Sequence, residues 1–191
     1  QKELIKFNED LGHIKRLQIS ILQGNFLQFL ITMKNIKSCL ELGTFTGYSS
    51  LSMALSLPKN GKIHTIDNDI SKNKIAKSFF VKAKVEKKIK TEISDGIIAI
   101  DKLIKKRKKF DLIFIDADKE NYIKYFDKSL KLLNKNGLII IDNILWKGEV
   151  INDLAKDKLT IKIKNFNDYI KKTKINKYIL PIGDGFFICW K

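Results

Sequence analysis

Residues 110–116, Phe-Asp-Leu-Ile-Phe-Ile-Asp, are the stretch that decides the fold. They are almost continuously apolar, and such a strand is typical of the centre of a parallel sheet, where both faces are covered. A second run of the same kind, Leu138–Asp142, follows a segment with helical spacing that ends at Asn136 and Gly137. Both runs finish in an aspartate. The pattern therefore predicts two buried parallel strands, each with an acidic residue at its carboxyl end.

The alternation of strands and helices continues in both directions from these two strands. The further predicted strands are Ser38–Leu42, Lys62–Asp67, Ile89–Ser94, Tyr178–Leu180 and Phe186–Trp190, and the predicted helices are Gly47–Leu57, Ser71–Lys84 with Ser71 as N-cap, Gly96–Lys106, Asn121–Leu133 and Ala155–Lys172. This order indicates an α/β fold with a doubly wound, mostly parallel sheet and helices on both faces. Only a tight turn joins the last two strands, and it is too short for a parallel crossover, so they pair antiparallel or lie apart.

The start of the chain precedes the sheet. Its apolar residues Leu4, Phe7, Leu11 and Ile14 have helical spacing, which predicts an N-terminal helical segment over residues 1–35. No linker or internal repeat interrupts the sequence, and 191 residues are enough for one full core. We therefore expect a single domain over residues 1–191.

Composition bears on the location and partners of the protein. Cys39 and Cys189 lie in apolar strands, which favours buried, reduced thiols. The charged first residues show no signal peptide, and no apolar run is long enough for a membrane span, so we expect a cytoplasmic protein without a membrane partner. The formal net charge of +16 leaves two interpretations open. One is the codon bias of an AT-rich genome, since Arg16 and Arg107 are the only arginines; the other is an anionic partner such as RNA or a CoA thioester.

A glycine loop follows the first predicted strand. Ligands of open α/β sheets bind beyond the carboxyl ends of the strands, and here Glu41 precedes Gly43 and Gly47. The loop does not have the glycine spacing of a dinucleotide fingerprint, and a carboxylate at this position suits a cationic ammonium better than a pyrophosphate. Asp67, at the end of the second strand, is placed to accept hydrogen bonds from ribose hydroxyls. The alternative is that the glycines only shape a turn.

Polar oxygens also follow the two central strands. Asp116, Asp142 and Asn143 supply carboxylate and amide oxygens without histidine or cysteine, and such a set suits a hard divalent cation. The alternative is that each residue caps a helix.

Lys119 follows Asp116 by three residues and can therefore point into the same cleft. A divalent cation nearby would disfavour its charged form, which suits a general base. The alternative is that Lys119 is one more surface lysine in a lysine-rich chain.

These residues lie in stretches that resemble metal-dependent O-methyltransferases related to caffeoyl-CoA and catechol O-methyltransferases, in particular their short bacterial members. The resemblance extends over nearly the whole chain. It is carried by Gly24–Leu27, LELGTFTGYS at 40–49, LPKNGKIHTID at 57–67, FDLIFIDADKENY at 110–122, GLIIIDNILWKGEV at 137–150 and LPIGDG at 180–185.

The resemblance implies an S-adenosylmethionine-dependent O-methyltransferase that needs a divalent cation, Mg²⁺ or alternatively Ca²⁺ or Mn²⁺. It implies a Rossmann-like sheet of seven strands, mostly parallel with an antiparallel last strand, and a homodimer. The implied cofactor-binding residues are Ile19, Glu41, Gly43, Thr44, Ser49, Asp67, Gly96, Asp116 and Asp118. The implied metal ligands are Asp116, Asp142 and Asn143, and the implied catalytic residues are Lys119 and Asp116.

Three classes of function remain open for the protein. The first is methylation of a small hydroxylated aromatic molecule of the catechol type, with vicinal hydroxyl groups. The alternative is methylation of 5-hydroxyuridine in transfer RNA by a related branch of the same family, which the net charge supports. A non-catalytic nucleoside- or RNA-binding module is the third, and the intact Lys119 and metal triad argue against it. The sequence differs from plant members at Lys147, where they carry an asparagine that contacts the substrate.

Overall fold

The computed structural model describes residues 1–190 in two compact units, Gln1–Gly96 and a second unit that begins at Ile97. The predicted single domain over 1–191 stays a prediction. Among the described residues, no helix combines the length and the apolar character that crossing a bilayer requires.

The first unit starts with the predicted helical segment. Its helices and strands are α1 Lys2–Glu9, α2 Ile21–Met33, β1 Ser38–Leu42, α3 Tyr48–Ser56, β2 Lys62–Asp67, α4 Ile70–Lys82 and β3 Ile89–Ile93, with a 3₁₀ turn at Gly12–Leu17. Helix α2 begins with a capping box, in which the Ser20 side chain accepts from the Gln23 N–H and the Gln23 side chain accepts from the Ser20 N–H. Two of the four unpaired donors at this helix end are thereby satisfied.

The second unit contains the two strands predicted to be central. It comprises α5 Gly96–Lys105 (whose first residue belongs to the first unit), β4 Phe110–Ile115, α6 Tyr122–Leu132, β5 Leu133–Ile141, α7 Lys158–Lys172, β6 Asn176–Leu180 and β7 Phe186–Trp190. Four consecutive residues of β4, from Leu112 to Ile115, are fully buried, as are Ile139–Ile141 of β5. This burial confirms the interpretation of the continuous apolar runs.

The strands form one seven-stranded sheet in the order β3-β2-β1-β4-β5-β7-β6. Strands β1, β2 and β3 pair parallel, and so do β4 and β5. Strand β7 runs antiparallel to both β5 and β6, which resolves the open choice for the last two strands. The mostly parallel sheet with an antiparallel last strand is confirmed.

Among the predicted boundaries that were wrong, three involve a different cap or a different kind of element. The N-cap of α4 is Asp69, whose carboxylate accepts from the Lys72 N–H at 2.9 Å, while the Ser71 hydroxyl donates to the same carboxylate. Helix α7 begins at Lys158 after Asp157, which caps it through the Thr160 N–H. Strand β5 begins at Leu133, where the sequence predicted the end of a helix.

Both cysteines are fully buried and neither is in a disulfide, as predicted. Burial raises the pKa of the Cys189 thiol to about 12, because the thiolate loses its hydration there. The thiol is therefore protonated and unreactive at neutral pH.

Candidate functional site

The carboxyl ends of β1 and β2 lie level with each other. Leu42 pairs with Ile66, and the Gly43 N–H donates to the Ile66 carbonyl at 2.9 Å, so the glycine loop leaves the sheet beside Asp67. Gly43 has φ +95°, a conformation that glycine adopts without strain.

Asp67 holds this loop in place. Its Oδ2 accepts from the N–H groups of Thr44 and Phe45, each at 2.8 Å, and its Oδ1 accepts from the Asp69 N–H at 2.9 Å. A carboxylate offers about four acceptor positions, so it can still accept from a ligand hydroxyl. Sequence reasoning found this residue but missed its role in shaping the loop.

Glu41 is fully buried on β1 among hydroxyl groups. Its Oε2 accepts from the Ser50 hydroxyl and from the Thr65 hydroxyl at 2.6 Å, and the Thr44 and Thr65 hydroxyls are 2.5 Å apart. Hydrogen bonds of this kind offset the cost of burying the carboxylate. Sequence reasoning missed Ser50 and Thr65, which stand nine and 24 positions from Glu41.

The other predicted cofactor residues of the first unit stand at the ends of its elements. Ser49 is the second residue of α3, after Gly47 with φ +89°. Gly96 opens α5 just after β3. Ile19 is buried ahead of the N-cap Ser20 and lines a cavity of about 310 Å³.

In the second unit, strand register brings Asp116 and Asp142 to one edge. Ile115 pairs with Ile141, and the Asp142 N–H donates to the Ile115 carbonyl at 3.0 Å. The residues that follow the two strands therefore leave the sheet at the same level. The Asp142 side chain is buried, and its Oδ1 accepts from the Asn143 N–H at 2.7 Å.

Lys119 lies at the centre of this edge. Its Nζ donates to Asp116 Oδ1 at 2.9 Å and to Asn143 Oδ1 at 2.5 Å. The Lys119 and Asp116 side chains are only 13% and 17% exposed, so water screens their ion pair weakly. The structure therefore brings Lys119, Asp116 and Asn143 together, as the sequence predicted.

Tyr122 is a member of this cluster that sequence reasoning missed. Its hydroxyl accepts from Lys119 Nζ at 2.6 Å and donates to the Asp142 carbonyl at 3.1 Å. Burial, and then the negative charges of the surrounding aspartates, raise the pKa of the Tyr122 phenol well above its usual value. The phenol stays protonated and can serve as acceptor and donor together. Its spacing of three residues from Lys119 was the available signal.

Asp184 is the second residue of this cluster that sequence reasoning missed. It lies in the turn between β6 and β7, and its Oδ2 accepts from Asn143 Nδ2 at 3.3 Å. Its Oδ1 accepts from the Lys147 N–H at 2.5 Å. The residue stands 41 positions from Asn143, so no local pattern predicts the contact.

Asp118, a predicted cofactor residue, is exposed, and both of its carboxylate oxygens are hydrogen-bonded. Oδ1 accepts from the Tyr125 hydroxyl at 2.5 Å, and Oδ2 accepts from Asn121 Nδ2 at 2.6 Å. These two bonds fix the direction of the carboxylate.

The side-chain oxygens of Asp116, Asp142 and Asn143 at this edge are suited to ligate a hard cation. Among residues 1–190, no group of three or more His, Cys, Asp or Glu side chains has metal-binding geometry. The set here is of another kind, two carboxylates and one amide. Because Asp116 Oδ1 and Asn143 Oδ1 both contact one ammonium nitrogen, they converge on a single cationic centre. Oxygen ligands of this kind are those that Mg²⁺, Mn²⁺ and Ca²⁺ prefer.

Comparison with known proteins identifies the family of the chain. A family model described as O-methyltransferase matches residues 1–191. The chain is 34% identical to the caffeoyl-CoA O-methyltransferase of Stellaria longipes, over 98% of this chain and 81% of that protein. It is 35% identical to the corresponding enzyme of Populus kitakamiensis, over 93% of this chain and 80% of that protein. A solved structure of an O-methyltransferase from Bacillus cereus in complex with SAH superposes with a TM-score of 0.88 at 29% identity, over 100% of this chain and 90% of that one.

Proposed function

Since this chain belongs to the O-methyltransferase family and is an S-adenosylmethionine-dependent enzyme of that class, we propose that it methylates one of two vicinal hydroxyl groups of a small aromatic acceptor with the help of a divalent cation. The caffeoyl-CoA O-methyltransferases among its relatives support a phenolic acceptor. We also propose that it acts in the cytoplasm, which its buried cysteines, neither of them in a disulfide, support.

The convergence of Asp116 and Asn143 on the Lys119 ammonium is the observation that carries this proposal. Asp116 and Asn143 would hold the cation through these same oxygens, and Asp142 would complete the set from the adjacent strand end. The Lys119 ammonium and a cation could not share one centre, so Lys119 would have to leave the two oxygens for them to hold the cation.

A divalent cation held there would lower the pKa of an acceptor hydroxyl and orient it. Lys119, as the neutral amine, would accept the hydroxyl proton, and Tyr122 holds the lysine side chain near the Asp142 carbonyl. The acceptor oxygen then forms a bond to the methyl carbon as the carbon–sulfur bond of the sulfonium breaks. The reaction joins opposite charges, so the main contribution of the protein is orientation of the two reactants.

The cofactor is proposed to bind at the glycine loop of the first unit, with Glu41 facing its ammonium group and Asp67 its ribose. Ile19, Gly43, Thr44, Ser49, Gly96, Asp116 and Asp118 complete the proposed set. The carboxylate of Asp67 already fixes the loop N–H groups, which supports a preformed binding surface.

The proposal is tested with labelled S-adenosylmethionine and Mg²⁺, offering catechols in one reaction and hydroxylated transfer RNA in another. We expect label in a methoxy product of the catechol. Label in the transfer RNA alone would instead establish the second candidate, which the net charge of +16 favours.

We predict that Asp67→Ala weakens S-adenosylmethionine binding by about 1–3 kcal/mol, the scale for hydrogen bonds that involve a charged group. Titration calorimetry measures the change. Asp69→Ala is the matched control, because it also removes a carboxylate that accepts from backbone N–H groups but lies outside the proposed set. Unchanged binding by both Asp67→Ala and Glu41→Ala would rule out the proposed placement of the cofactor.

We predict a homodimer, and the surface of α2 supports it. Ile21, Leu22, Phe29 and Met33 of this helix are each more than half exposed. Sedimentation should show a species of twice the chain mass of 22.1 kDa at micromolar concentration. Phe29→Lys should shift it toward the monomer, whereas Ile151→Lys, at a side chain that is 85% exposed elsewhere, should not. Sedimentation of the unaltered protein only as a monomer would contradict this prediction.

A further inference from the structure

We propose that Asp184 is a positioning residue that fixes which end of the Asn143 amide faces the cation site. The inference rests on the proposed function, because it concerns how that site is built. Asp184 touches neither cofactor nor acceptor in this scheme, and it acts through Asn143.

The sheet explains why the two residues meet. Strand β5 pairs antiparallel with β7, with Ile141 opposite Phe187, so the chain that leaves β5 runs alongside the chain that enters β7. The Ile144 N–H donates to the Gly185 carbonyl at 3.3 Å, which continues the pairing beyond both strands. Asp184 is thereby held beside Asn143.

An asparagine amide has two ends of similar size, and only its oxygen can bind a hard cation. A carboxylate accepts hydrogen bonds but donates none, so Asp184 favours the orientation that presents Nδ2 to it. In that orientation Asn143 Oδ1 points to the cationic centre that Lys119 Nζ marks, at 2.5 Å. The reversed amide would set oxygen against the Asp184 carboxylate and an NH₂ group against the cation.

Asp184 also fixes the backbone that carries the amide. Its Oδ1 accepts from the Lys147 N–H and its main-chain carbonyl accepts from the Leu145 N–H at 3.0 Å. Asn143 and Lys147 have φ values of +62° and +55°, in the left-handed region that side chains disfavour. Such a conformation persists only where surrounding bonds hold it. One residue therefore fixes both the backbone and the side-chain orientation of the amide ligand.

The test measures Mn²⁺ binding directly, through the electron paramagnetic resonance signal of free Mn²⁺, so that it does not depend on turnover. We expect Asp184→Asn, which has nearly the same volume, to raise the Mn²⁺ dissociation constant by about 10-fold, the lower end for partners of metal ligands. The dissociation constant for S-adenosylmethionine should not change. Asp127→Asn is the matched control, because it removes a carboxylate that accepts from the Tyr169 hydroxyl.

A second variant separates orientation from charge and from folding. In Asn143→Asp both ends of the side chain are oxygens, so either end can face the cation site and its orientation no longer matters. In that background Asp184→Asn should no longer weaken Mn²⁺ binding, because the two changes act through one contact. The same 10-fold loss in both backgrounds would show that Asp184 acts otherwise, and it would overturn the inference.

The remaining outcomes separate this inference from the proposed function. Mn²⁺ binding by the unaltered protein, with equal binding by Asp184→Asn, overturns the inference and leaves the cation site intact. Failure of the unaltered protein to bind Mn²⁺ overturns the proposed cation site and the inference with it. A shift in thermal unfolding larger than that of Asp127→Asn, together with loss of S-adenosylmethionine binding, would show a general role in folding and also count against the inference.

Discussion

Chelation of divalent cations with EDTA is expected to reduce methyl transfer to the background rate, and excess Mg²⁺ should restore it. Asp142→Ala should lower turnover by more than about 100-fold in saturating Mg²⁺, because loss of a partner of a ligand already costs 10- to 100-fold. The Asp142 side chain is buried at the end of β5, so no surface residue can replace it. Initial rates with labelled S-adenosylmethionine and a catechol measure both effects.

In the same rate assay, Lys119→Ala distinguishes the role of the cation from the role of a lysine base. Its ammonium contacts Asp116 and Asn143, so removing it should leave Mn²⁺ binding at least as tight as before while turnover falls. Turnover that survives EDTA, or a near-native rate for Asp142→Ala, would contradict the cation role. A near-native rate for Lys119→Ala alone would mean that the cation activates the hydroxyl without a lysine base.

Gly185→Ala is expected to lower the free energy of unfolding by about 2–5 kcal/mol. Gly185 has φ +86°, where a side chain costs about 1–2 kcal/mol. A Cβ there would also overlap Leu145, with Cδ1 at 2.9 Å and Cγ closer still, and overpacking typically costs about 1–3 kcal/mol. Urea unfolding followed by circular dichroism measures the change.

Gly148→Ala is the control for Gly185→Ala. Gly148 has the same φ of +86°, but a Cβ there would meet nothing within 4 Å. Gly148→Ala should therefore lower the free energy of unfolding only by the backbone contribution of about 1–2 kcal/mol. Equal losses in the two variants would show that contact with Leu145 contributes nothing to the stability of this turn.

Strand positions could be predicted because burial on both faces leaves a continuous apolar run, as in β4 and β5. The two strand ends also predicted where the acidic residues of the proposed cation site would meet, since parallel neighbours finish at the same edge of the sheet. The acids Asp116 and Asp142 needed no further information than this. The cofactor and metal roles themselves came from the family resemblance and stay predictions.

Boundaries and long-range contacts could not be predicted in the same way. Ser71 and Asp69 both satisfy the preference for an N-cap, and only the structure shows which accepts the Lys72 N–H. Asn136 and Gly137 resemble a turn, yet they lie within β5, where Asn136 has φ +63°. Asp184 reaches Asn143 through the pairing of β5 with β7, which depends on the whole sheet and on no local pattern.

The anchoring of residues 143–147 to Asp184 has a consequence for redesign. The segment after Gly148 lies outside those contacts, and its Ile151 and Leu154 side chains are each 85% exposed. Exposed loops beyond a rigid scaffold accept exchange and insertion more readily than the elements they join. Substitutions and insertions confined to residues 149–156 should therefore be tolerated while the proposed cation ligands keep their geometry, so that this loop can be redesigned as a module separate from the site.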